Sequence, residues 1–541
     1  MNVFQPKFFR TIKGYNGKKL VSDIVAGIIV AIIALPLSIA LAIASGVSPE
    51  KGLYTAIVAG FVISFLGGSS VNISGPTAAF ATIVAGIVAQ FGTQGLVIAT
   101  LMAGLLLILM GIFKFGSLIK YIPYTITTGF TSGIALTIVI GQIKDFLGLT
   151  YPEGTHAIES MEKLEAVFAN IATFNWQALL VGLIGLAILI VWPKISKKIP
   201  GSLIAVVAGV VIVKVFKMDV NTIGDLYTIS RDLPAFSFPA IELSTVRELI
   251  PSAFTIAILA GIESLLSCVV SDGMIGDKHN SNTELIAQGM GNIASGLFGG
   301  IPATGAIART AANVKNGGRT PVAGMVHAIV LLLILVVLMP YAAWIPMPII
   351  AAILFMVAYN MCEWRQFVKI CKTAPRSDIL VLVLTFVLTV VFDLVVAIEV
   401  GMILSAILFM KRMADVTRVR GWSEADAAHR LNLPHGTQVF DLEGPMFFAS
   451  SDKFAAFPLE PDTKVVILRM HNVPAVDISA LRPLMKLEQT YKIAGITLIL
   501  SHVNEQPMKA IKKAGLYDAV GAEHVTENIT EAIEAARKIC G

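Results

Sequence analysis

The sequence predicts a polytopic α-helical membrane protein made of two inverted repeats of seven spans each, followed by a C-terminal cytoplasmic α/β domain. The 541 residues are 55% hydrophobic and only 14% charged, against about 25% charged in an ordinary soluble domain, and the mean hydropathy is +0.78. Long apolar runs end near residue 412, and a composition typical of a soluble domain begins after Arg420. A chain this apolar cannot bury its side chains in one globular core.

Apolar runs of about 17–25 residues, the length that crosses a bilayer, define the spans. We place them at 22–44, 52–67, 74–90, 95–115, 123–147, 177–193, 200–217, 248–272, 283–300, 304–315, 321–341, 345–362, 377–395 and 396–412. The third and tenth are too short or too polar to cross a bilayer alone. The predicted domains are an N-terminal segment 1–21, a first repeat 22–217, an extracytoplasmic connector 218–247, a second repeat 248–412, a linker 413–435 and a soluble domain 436–541.

Lysine and arginine predict the orientation. They cluster at 7–19, 114–120, 194–198, 365–376 and 411–420, and every cluster follows an even number of spans. Under the positive-inside rule both termini then lie in the cytoplasm, and we expect an inner (plasma) membrane protein. Seven spans in each half make the halves run in opposite directions. The net charge of +5 is modest and argues against a nucleic-acid surface.

Two similar breaks interrupt the third span of each half. The stretches "FLGGSSVNISGPTAAF", 65–80, and "LFGGIPATGAIART", 297–310, both pass from an apolar run through a Gly-Gly pair to a proline with Thr and Ala after it. Backbone groups cannot stay unpaired in hydrocarbon, so a helix begins at mid-depth only beside protein or a water-filled cavity. Inverted repeats with matched, interrupted helices are typical of secondary transporters that bind substrate at the midplane.

The breaks predict two half-helices, because Gly75-Pro76 and Pro302 with Gly305 are suited to helix starts. The half-helix N-termini would direct N–H groups and the positive ends of their dipoles into one cavity. The predicted donors are the N–H groups of Thr77, Ala78, Ala79, Ala306, Ile307 and Ala308.

Arg309 adds a charge that does not deprotonate. Together with the half-helix N-termini, it predicts a site for an anion. The alternative is that Pro and Gly only kink ordinary spans and that Arg309 reaches out to a lipid headgroup.

One carboxylate, Glu263, lies in the middle of span eight, "PSAFTIAILAGIESLLSCVVSDG". An ionised carboxylate in hydrocarbon is costly, so we expect it to bind a proton or to pair with a cation. As a proton carrier it would couple anion binding to H⁺ uptake, and the alternative is a permanent ion pair with Arg309. A sodium site would require Ser264, Ser267 and the Thr304 hydroxyl to converge on Glu263.

The sequence holds no nucleotide-binding P-loop and no paired metal ligands. We therefore expect neither an enzyme nor a bound cofactor or metal.

The C-terminal region alternates strand and helix patterns. "TQVFDLEG", "TKVVILRM" and "GITLILS" read as strands, and 450–457, 479–491, 505–514 and 526–539 as helices, which predicts a small α/β sheet. Asp477 and Ser479 precede one of these helices, where such residues are usual caps.

Several motifs resemble the SulP family of bacterial sulfate, bicarbonate and dicarboxylate transporters, related to the solute-carrier 26 anion exchangers and prestin. They are the first break, "DIVAGIIVAIIALPLSIALAIASGVSPEKGLYTAIVAG" and "SDGMIGDKHNSNTELIAQGMGNIASGLFGGIPATGAIARTAANV". The resemblance covers roughly 20–541, where the C-terminal region is similar to a STAS domain with its signature loop at "NVPAVDISAL". It implies a homodimer, a core domain that moves against a gate domain in an elevator-like way, and a substrate between spans one, three, eight and ten.

The resemblance also implies roles for single residues. Thr77 matches the family's anion contact, while Ala308 and Arg309 match a pair that reads Ser-Arg in many animal relatives, so that here only the backbone N–H remains. Leu37 and Leu41 match span-one positions that often carry Gln and an aromatic residue.

A glutamate at position 263 looks like the proton-coupled members, whereas Asp with a nearby Thr suggests sodium use. We therefore predict proton-coupled uptake of sulfate or a C4-dicarboxylate, with bicarbonate less favoured. The alternatives are a passive anion channel, a sodium-coupled bicarbonate transporter, and a scaffold that signals through its STAS domain. In regulatory relatives of that domain a phosphoacceptor lies near Asp477 and Ser479, and we expect the domain to serve trafficking, dimer packing or partner binding.

Overall fold

The computed structural model describes residues 4–117, 123–152, 157, 159–196, 199–230, 232–240, 242–392, 394–422 and 433–541. Parts of two predicted basic loops, 118–122 and 197–198, and part of the predicted linker, 423–432, lie outside these residues. The chain forms two compact units, Met1–Met402 and Ile403–Gly541.

The first unit, Met1–Met402, is called the membrane unit here and is helical. Its described helices, the last of which continues into the second unit, are α1 Lys7–Thr11, α2 Gly17–Ala44, α3 Pro49–Leu66, α4 Ala81–Ile112, α5 Tyr124–Leu147, α6 Ser160–Ala169, α7 Trp176–Ile195, α8 Gly201–Val215, α9 Ile223–Leu226, α10 Leu243–Ile275, α11 Ser281–Leu297, α12 Ile307–Lys315, α13 Val322–Ala342, α14 Met347–Cys362, α15 Trp364–Thr373, α16 Arg376–Val391 and α17 Leu394–Val416. Asn16, Asn175 and Asn280 cap α2, α7 and α11, because each side chain accepts hydrogen bonds from N–H groups of the first turn.

Each predicted span coincides with a helical segment, which confirms the fold class. Spans three and four both fall in α4, where Gly92 leaves the helical conformation with φ 65° and ψ −169° and divides the helix. Within the described ranges, eight helices are long and apolar enough to cross a membrane.

The predicted starts of spans three and ten are wrong by a few residues. Ser74–Gly75 forms strand β1 and Thr304–Gly305 forms strand β2. A proline disfavours helical geometry in the residue before it, and Pro76 follows Gly75 directly. In the first break helical structure therefore begins later, with a 3₁₀ turn at Ala78–Phe80. In the second break Thr304 and Gly305 pair with the first strand, and α12 begins at Ile307.

The membrane unit contains two groups of packed helices. In the first, α4 packs against α10 and α11, and α13 packs against α2 and α3. In the second, α5 packs against α14 and α16, and α7 packs against α8 and α14. Both breaks belong to the first group, since α10 contacts β2 and α12 while α3 contacts β1.

The second unit contains a five-stranded sheet. The strands β3 Arg418–Gly421, β4 Thr437–Glu443, β5 Val465–Asn472, β6 Thr497–Ser501 and β7 Val525–Thr526 lie in that order. β3 is antiparallel to β4, and the remaining pairs are parallel. The helices are α18 Ile478–Ile493, α19 Glu505–Ala514, α20 Leu516–Val520 and α21 Ile529–Cys540, with a 3₁₀ helix at Phe448–Phe454.

The sheet has a hydrophobic core on each face. α18 covers one face, where Leu481 and Leu484 pack with Leu468, and α21 covers the other, where Ile533 packs with Ile467. The three predicted strands are confirmed. The sequence pattern does not indicate β3 and β7, which are only four and two residues long.

We expect Gly52→Ala to destabilise the membrane unit. A Cβ at Gly52 of α3 would overlap the carbonyl oxygen of Ser38 in α2, and overpacking typically costs about 1–3 kcal/mol. Thermal unfolding of the purified protein measures the effect. Gly86→Ala in α4 is the control, because a Cβ there meets nothing within 4 Å; equal melting temperatures for the two variants would contradict the prediction.

Candidate functional site

The two breaks meet in space. β1 and β2 pair antiparallel, with Ser74 opposite Gly305 and Gly75 opposite Thr304. One more backbone hydrogen bond extends the pair, from the Ala306 N–H to the carbonyl of Ile73 at 2.8 Å. The motifs that resemble each other in sequence therefore form one structural feature, from which both predicted half-helices start.

The starts of the two half-helices differ in exposure. Ala306, the N-cap of α12, is partly buried, and Ile307 and Ala308 are exposed. In the other half Thr77 is partly buried, whereas Ala78 and Ala79 are buried. The start of α12 is thus the more accessible of the two.

Arg309 lies at the junction of the breaks. Its side chain is buried, with 4% of its surface exposed, and Nη2 donates a hydrogen bond to the carbonyl oxygen of Pro76. Nη1 has no hydrogen-bond partner among the described residues and lies so close to Gly75 that a Cβ there would be 2.6 Å away. This position does not fit the alternative in which Arg309 reaches a headgroup. A buried donor without a partner is costly, which makes Nη1 available to a ligand.

The carboxylate of Glu263 contacts the same segment at its next residue, Thr77. Glu263 is partly buried, and its Oε2 accepts a hydrogen bond from Thr77 Oγ1 at 3.1 Å. Among the described ion pairs, none joins Glu263 to Arg309 within 4.0 Å. Instead, the neighbouring residues Pro76 and Thr77 contact the guanidinium and the carboxylate respectively. The acid and the base are therefore connected through two consecutive residues of the first break.

The predicted sodium-coordinating hydroxyls have other partners. Ser264 Oγ and Thr304 Oγ1 lie 2.7 Å apart, and Ser264 Oγ accepts a hydrogen bond from the Gly305 N–H at 3.0 Å. Ser267 Oγ donates to Asn72 Oδ1 at 2.8 Å. In the described part of the chain these three hydroxyls make no hydrogen bond to the carboxylate of span eight. They attach the two breaks to α10.

Leu37 and Leu41 lie one helical turn apart on α2. Leu37 is partly buried and Leu41 is buried. They offer only apolar surface at these span-one positions.

Asp477 is the N-cap of α18. Its Oδ1 accepts a hydrogen bond from the Ala480 N–H at 2.9 Å, and its Oδ2 accepts one from the Phe448 N–H at 3.0 Å. Ser479 lies partly buried in the first turn of the helix. The capping atoms therefore belong to the aspartate.

Two components of this site are not evident from the sequence. The Pro76 carbonyl is a backbone group, which side-chain patterns do not indicate. Asn72 was passed over because its partners lie far along the chain. A visible signal was the row of polar residues in "TELIAQGMGNIAS", 283–295, at helical spacing inside an apolar span.

Known families match both parts of the chain. Residues 20–385 match the profile of the sulfate permease family, and residues 430–532 match the STAS domain. These matches confirm the resemblance inferred from the motifs.

Individual relatives match along most of their length. YvdB of Bacillus subtilis (strain 168), described as a candidate sulfate transporter, is 41% identical over 530 residues, which cover 97% of this chain and 99% of that protein. The bicarbonate transporter BicA of Picosynechococcus sp. is 33% identical over 505 residues, covering 89% of this chain and 87% of that protein.

Solved structures share the fold. Murine Solute Carrier 26 family member A9, an anion transporter captured in the inward-facing state, superposes with a TM-score of 0.89 over 99% of this chain and 94% of its own, at 19% identity. The transmembrane domain of a cyanobacterial BicA gives a TM-score of 0.63 over 72% of this chain and 98% of its own, at 31% identity.

We expect Gly75→Ala to weaken ligand binding at this site without unfolding the protein. The new methyl group would displace the Arg309 guanidinium, the far end of a flexible side chain, and break its hydrogen bond to Pro76. Hydrogen bonds to charged groups are worth about 1.5–3 kcal/mol, so affinity for a bound anion should fall by roughly tenfold or more. Titration of the purified protein with anions measures this, with Gly86→Ala as control. Wild-type affinity in Gly75→Ala would contradict the assignment of Arg309.

Proposed function

This chain belongs to the sulfate permease family, and on that premise we propose that it is a secondary active transporter that couples uptake of a small anion to protons. Members of this family are transporters and not enzymes. The observation that carries the proposal is the segment Pro76-Thr77, which contacts Arg309 through its carbonyl and Glu263 through its hydroxyl.

The anion is held at the start of α12 and by Arg309. Nη1 of this arginine has no partner among the described residues, and the exposed N-terminus of α12 adds the positive end of a helix dipole. Ala308 has no side-chain hydroxyl, so its backbone N–H is the donor at this position. Thr77 lies at the start of the other half-helix. Leu37 and Leu41 form an apolar wall of the site.

Glu263 couples the anion to the proton. Arg309 contacts Pro76, and Glu263 contacts the next residue, Thr77. When Glu263 is ionised, its negative charge therefore repels an anion bound at Arg309. Protonation removes that charge and makes the site more positive, so proton and anion each favour binding of the other. The hydrogen bond from Thr77 can persist in both states, because a protonated carboxyl group still has an oxygen that accepts.

Transport then follows from the two helix groups. Both breaks, α10 and α12 belong to the first group, which carries the site as a unit past the group formed by α5, α7, α8, α14 and α16. This elevator-like motion exposes the anion alternately to the two sides of the membrane. The basic clusters favour an inner-membrane protein with both termini in the cytoplasm, acting as a homodimer whose STAS domain binds partners.

Sulfate or a C4-dicarboxylate is the favoured substrate, and bicarbonate is the second candidate. The name of YvdB points to sulfate, and that of BicA to bicarbonate. A guanidinium and a helix N-terminus suit a small oxyanion.

In proteoliposomes we expect an inward proton gradient to drive anion uptake and Glu263→Gln to abolish that dependence, because a glutamine does not titrate. Typical coupling energies correspond to about 5- to 150-fold effects on affinity. Glu399→Gln is the matched control, since this carboxylate is exposed on α17. Uptake by Glu263→Gln that still follows the proton gradient would remove Glu263 from the mechanism, and a current linear in voltage at channel-like rates would favour a passive channel.

Competition distinguishes the substrates. We expect unlabelled sulfate or succinate to suppress uptake of labelled sulfate at lower concentrations than bicarbonate does. Stronger competition by bicarbonate, with uptake driven by sodium, would assign the chain to sodium-coupled bicarbonate transport.

A further inference from the structure

We propose that α11 is the positioning element of the anion site and that four polar side chains on it fix the spacing of the two breaks. This α11 stripe consists of Glu284, Gln288, Asn292 and Ser295, and the inference rests on the proposed function. Intervals of four, four and three residues place the side chains on one face of the helix. All four are buried, with at most 1% of their surface exposed. Apolar residues would be expected at such buried positions of a membrane span.

One end of the stripe holds the first break. Glu284 Oε2 accepts hydrogen bonds from the N–H groups of Gly68 at 2.9 Å and Ser69 at 3.2 Å. Gln288 Nε2 donates to Ser74 Oγ at 2.9 Å, which lies in β1 itself. The loop that enters the first break is therefore bound to α11 both before and within the strand.

The other end holds the second break. Asn292 makes two hydrogen bonds to Ala303, accepting from its N–H at 2.8 Å and donating to its carbonyl at 2.9 Å. Ser295 Oγ donates to the carbonyl of Ile301 at 2.7 Å. The Asn292 amide thus satisfies both backbone groups of Ala303, as a neighbouring β-strand would. Ala303 directly precedes β2.

The stripe fixes a distance because a helix is stiff. From Glu284 to Ser295 the helix rises about 16 Å at 1.5 Å per residue, and each break is bonded at its own level. Displacing one break relative to the other would leave buried polar groups without partners, which is costly. A site mounted on such a helix is held more accurately than one mounted on loops alone.

Asn72 connects the stripe to the anion-binding arginine. Its Nδ2 donates to Glu284 Oε1 at 2.8 Å, while its Oδ1 accepts from Ser267 Oγ at 2.8 Å and from Thr310 Oγ1 at 3.0 Å. Thr310 directly follows Arg309 in α12. The amide is suited to this position, since it offers a donor to a carboxylate on one side and an acceptor to two hydroxyls on the other.

The donor and acceptor pattern defines an exchange test. Asn72→Asp places a second carboxylate against Glu284, and Glu284→Gln places a second amide against Asn72. In the double variant, the carboxylate introduced at position 72 can accept from the amide introduced at position 284 and from both hydroxyls. Gln288 Nε2 also donates to Glu284 Oε1, at 3.0 Å, so in the double variant the Gln288 amide must turn over and present its Oε1, which has no partner among the described residues, to the introduced amide. With that turn, the hydrogen-bond pattern between positions 72 and 284 is restored with the two groups exchanged.

The experiment measures KM and maximal rate of anion uptake by the full chain in proteoliposomes, together with its melting temperature. We expect each single variant to raise KM by about tenfold or more, and the double variant to recover most of that loss. Asn170→Asp is the matched control, because its amide only donates to the Ala166 carbonyl at the end of α6. If Asn72→Asp does not fold, Ser295→Ala replaces it, with an expected rise in KM of about threefold.

The outcomes separate the two proposals. Wild-type vesicles that accumulate none of the candidate anions would overturn the proposed function. If the wild type transports but the variants keep a wild-type KM, the positioning role of the α11 stripe is wrong while the function stands. A double variant that matches the melting temperature of the wild type but keeps the raised KM of the single variants would equally overturn the positioning role.

Discussion

The membrane unit depends on the pairing of two short extended segments from opposite halves of the chain. Helices that stop inside a membrane leave backbone groups that need partners, and Ser74–Gly75 and Thr304–Gly305 provide them for each other. The next two residues of the first break, Pro76 and Thr77, use their oxygen atoms for hydrogen bonds to charged side chains. The Pro76 carbonyl orients Arg309, and the Thr77 hydroxyl orients Glu263, so one segment of backbone determines where the acid and the base lie.

The glycine pair of the first motif follows from the same constraint. A Cβ at Gly68 would overlap the carbonyl oxygen of Asn280 at the start of α11, and only without it can the Gly68 N–H reach Glu284 at 2.9 Å. The glycine at position 68 is therefore required because the loop before β1 lies directly against the start of α11.

The sequence predicted the features that are local in the chain. Span lengths, the two breaks, Arg309 and Glu263 were all visible, because each is a departure from an apolar run that a bilayer would penalise. The partners of buried hydroxyls were not, since nothing in their spacing distinguishes convergence on Glu263 from attachment of Ser267 to Asn72 and of Thr304 to Ser264. The row of polar residues in α11 was visible as a pattern, but its partners in both breaks become evident only in three dimensions.

We propose that an anion binds between Arg309 and the start of α12, and the position of a bound anion can be determined experimentally. Selenate, a heavy analogue of sulfate, can be located by anomalous diffraction in crystals of the protein. We expect a peak within hydrogen-bond distance of Arg309 Nη1 and the Ala308 N–H. A selenate peak far from the paired breaks, without contact to the guanidinium, would show that Arg309 does not bind the anion.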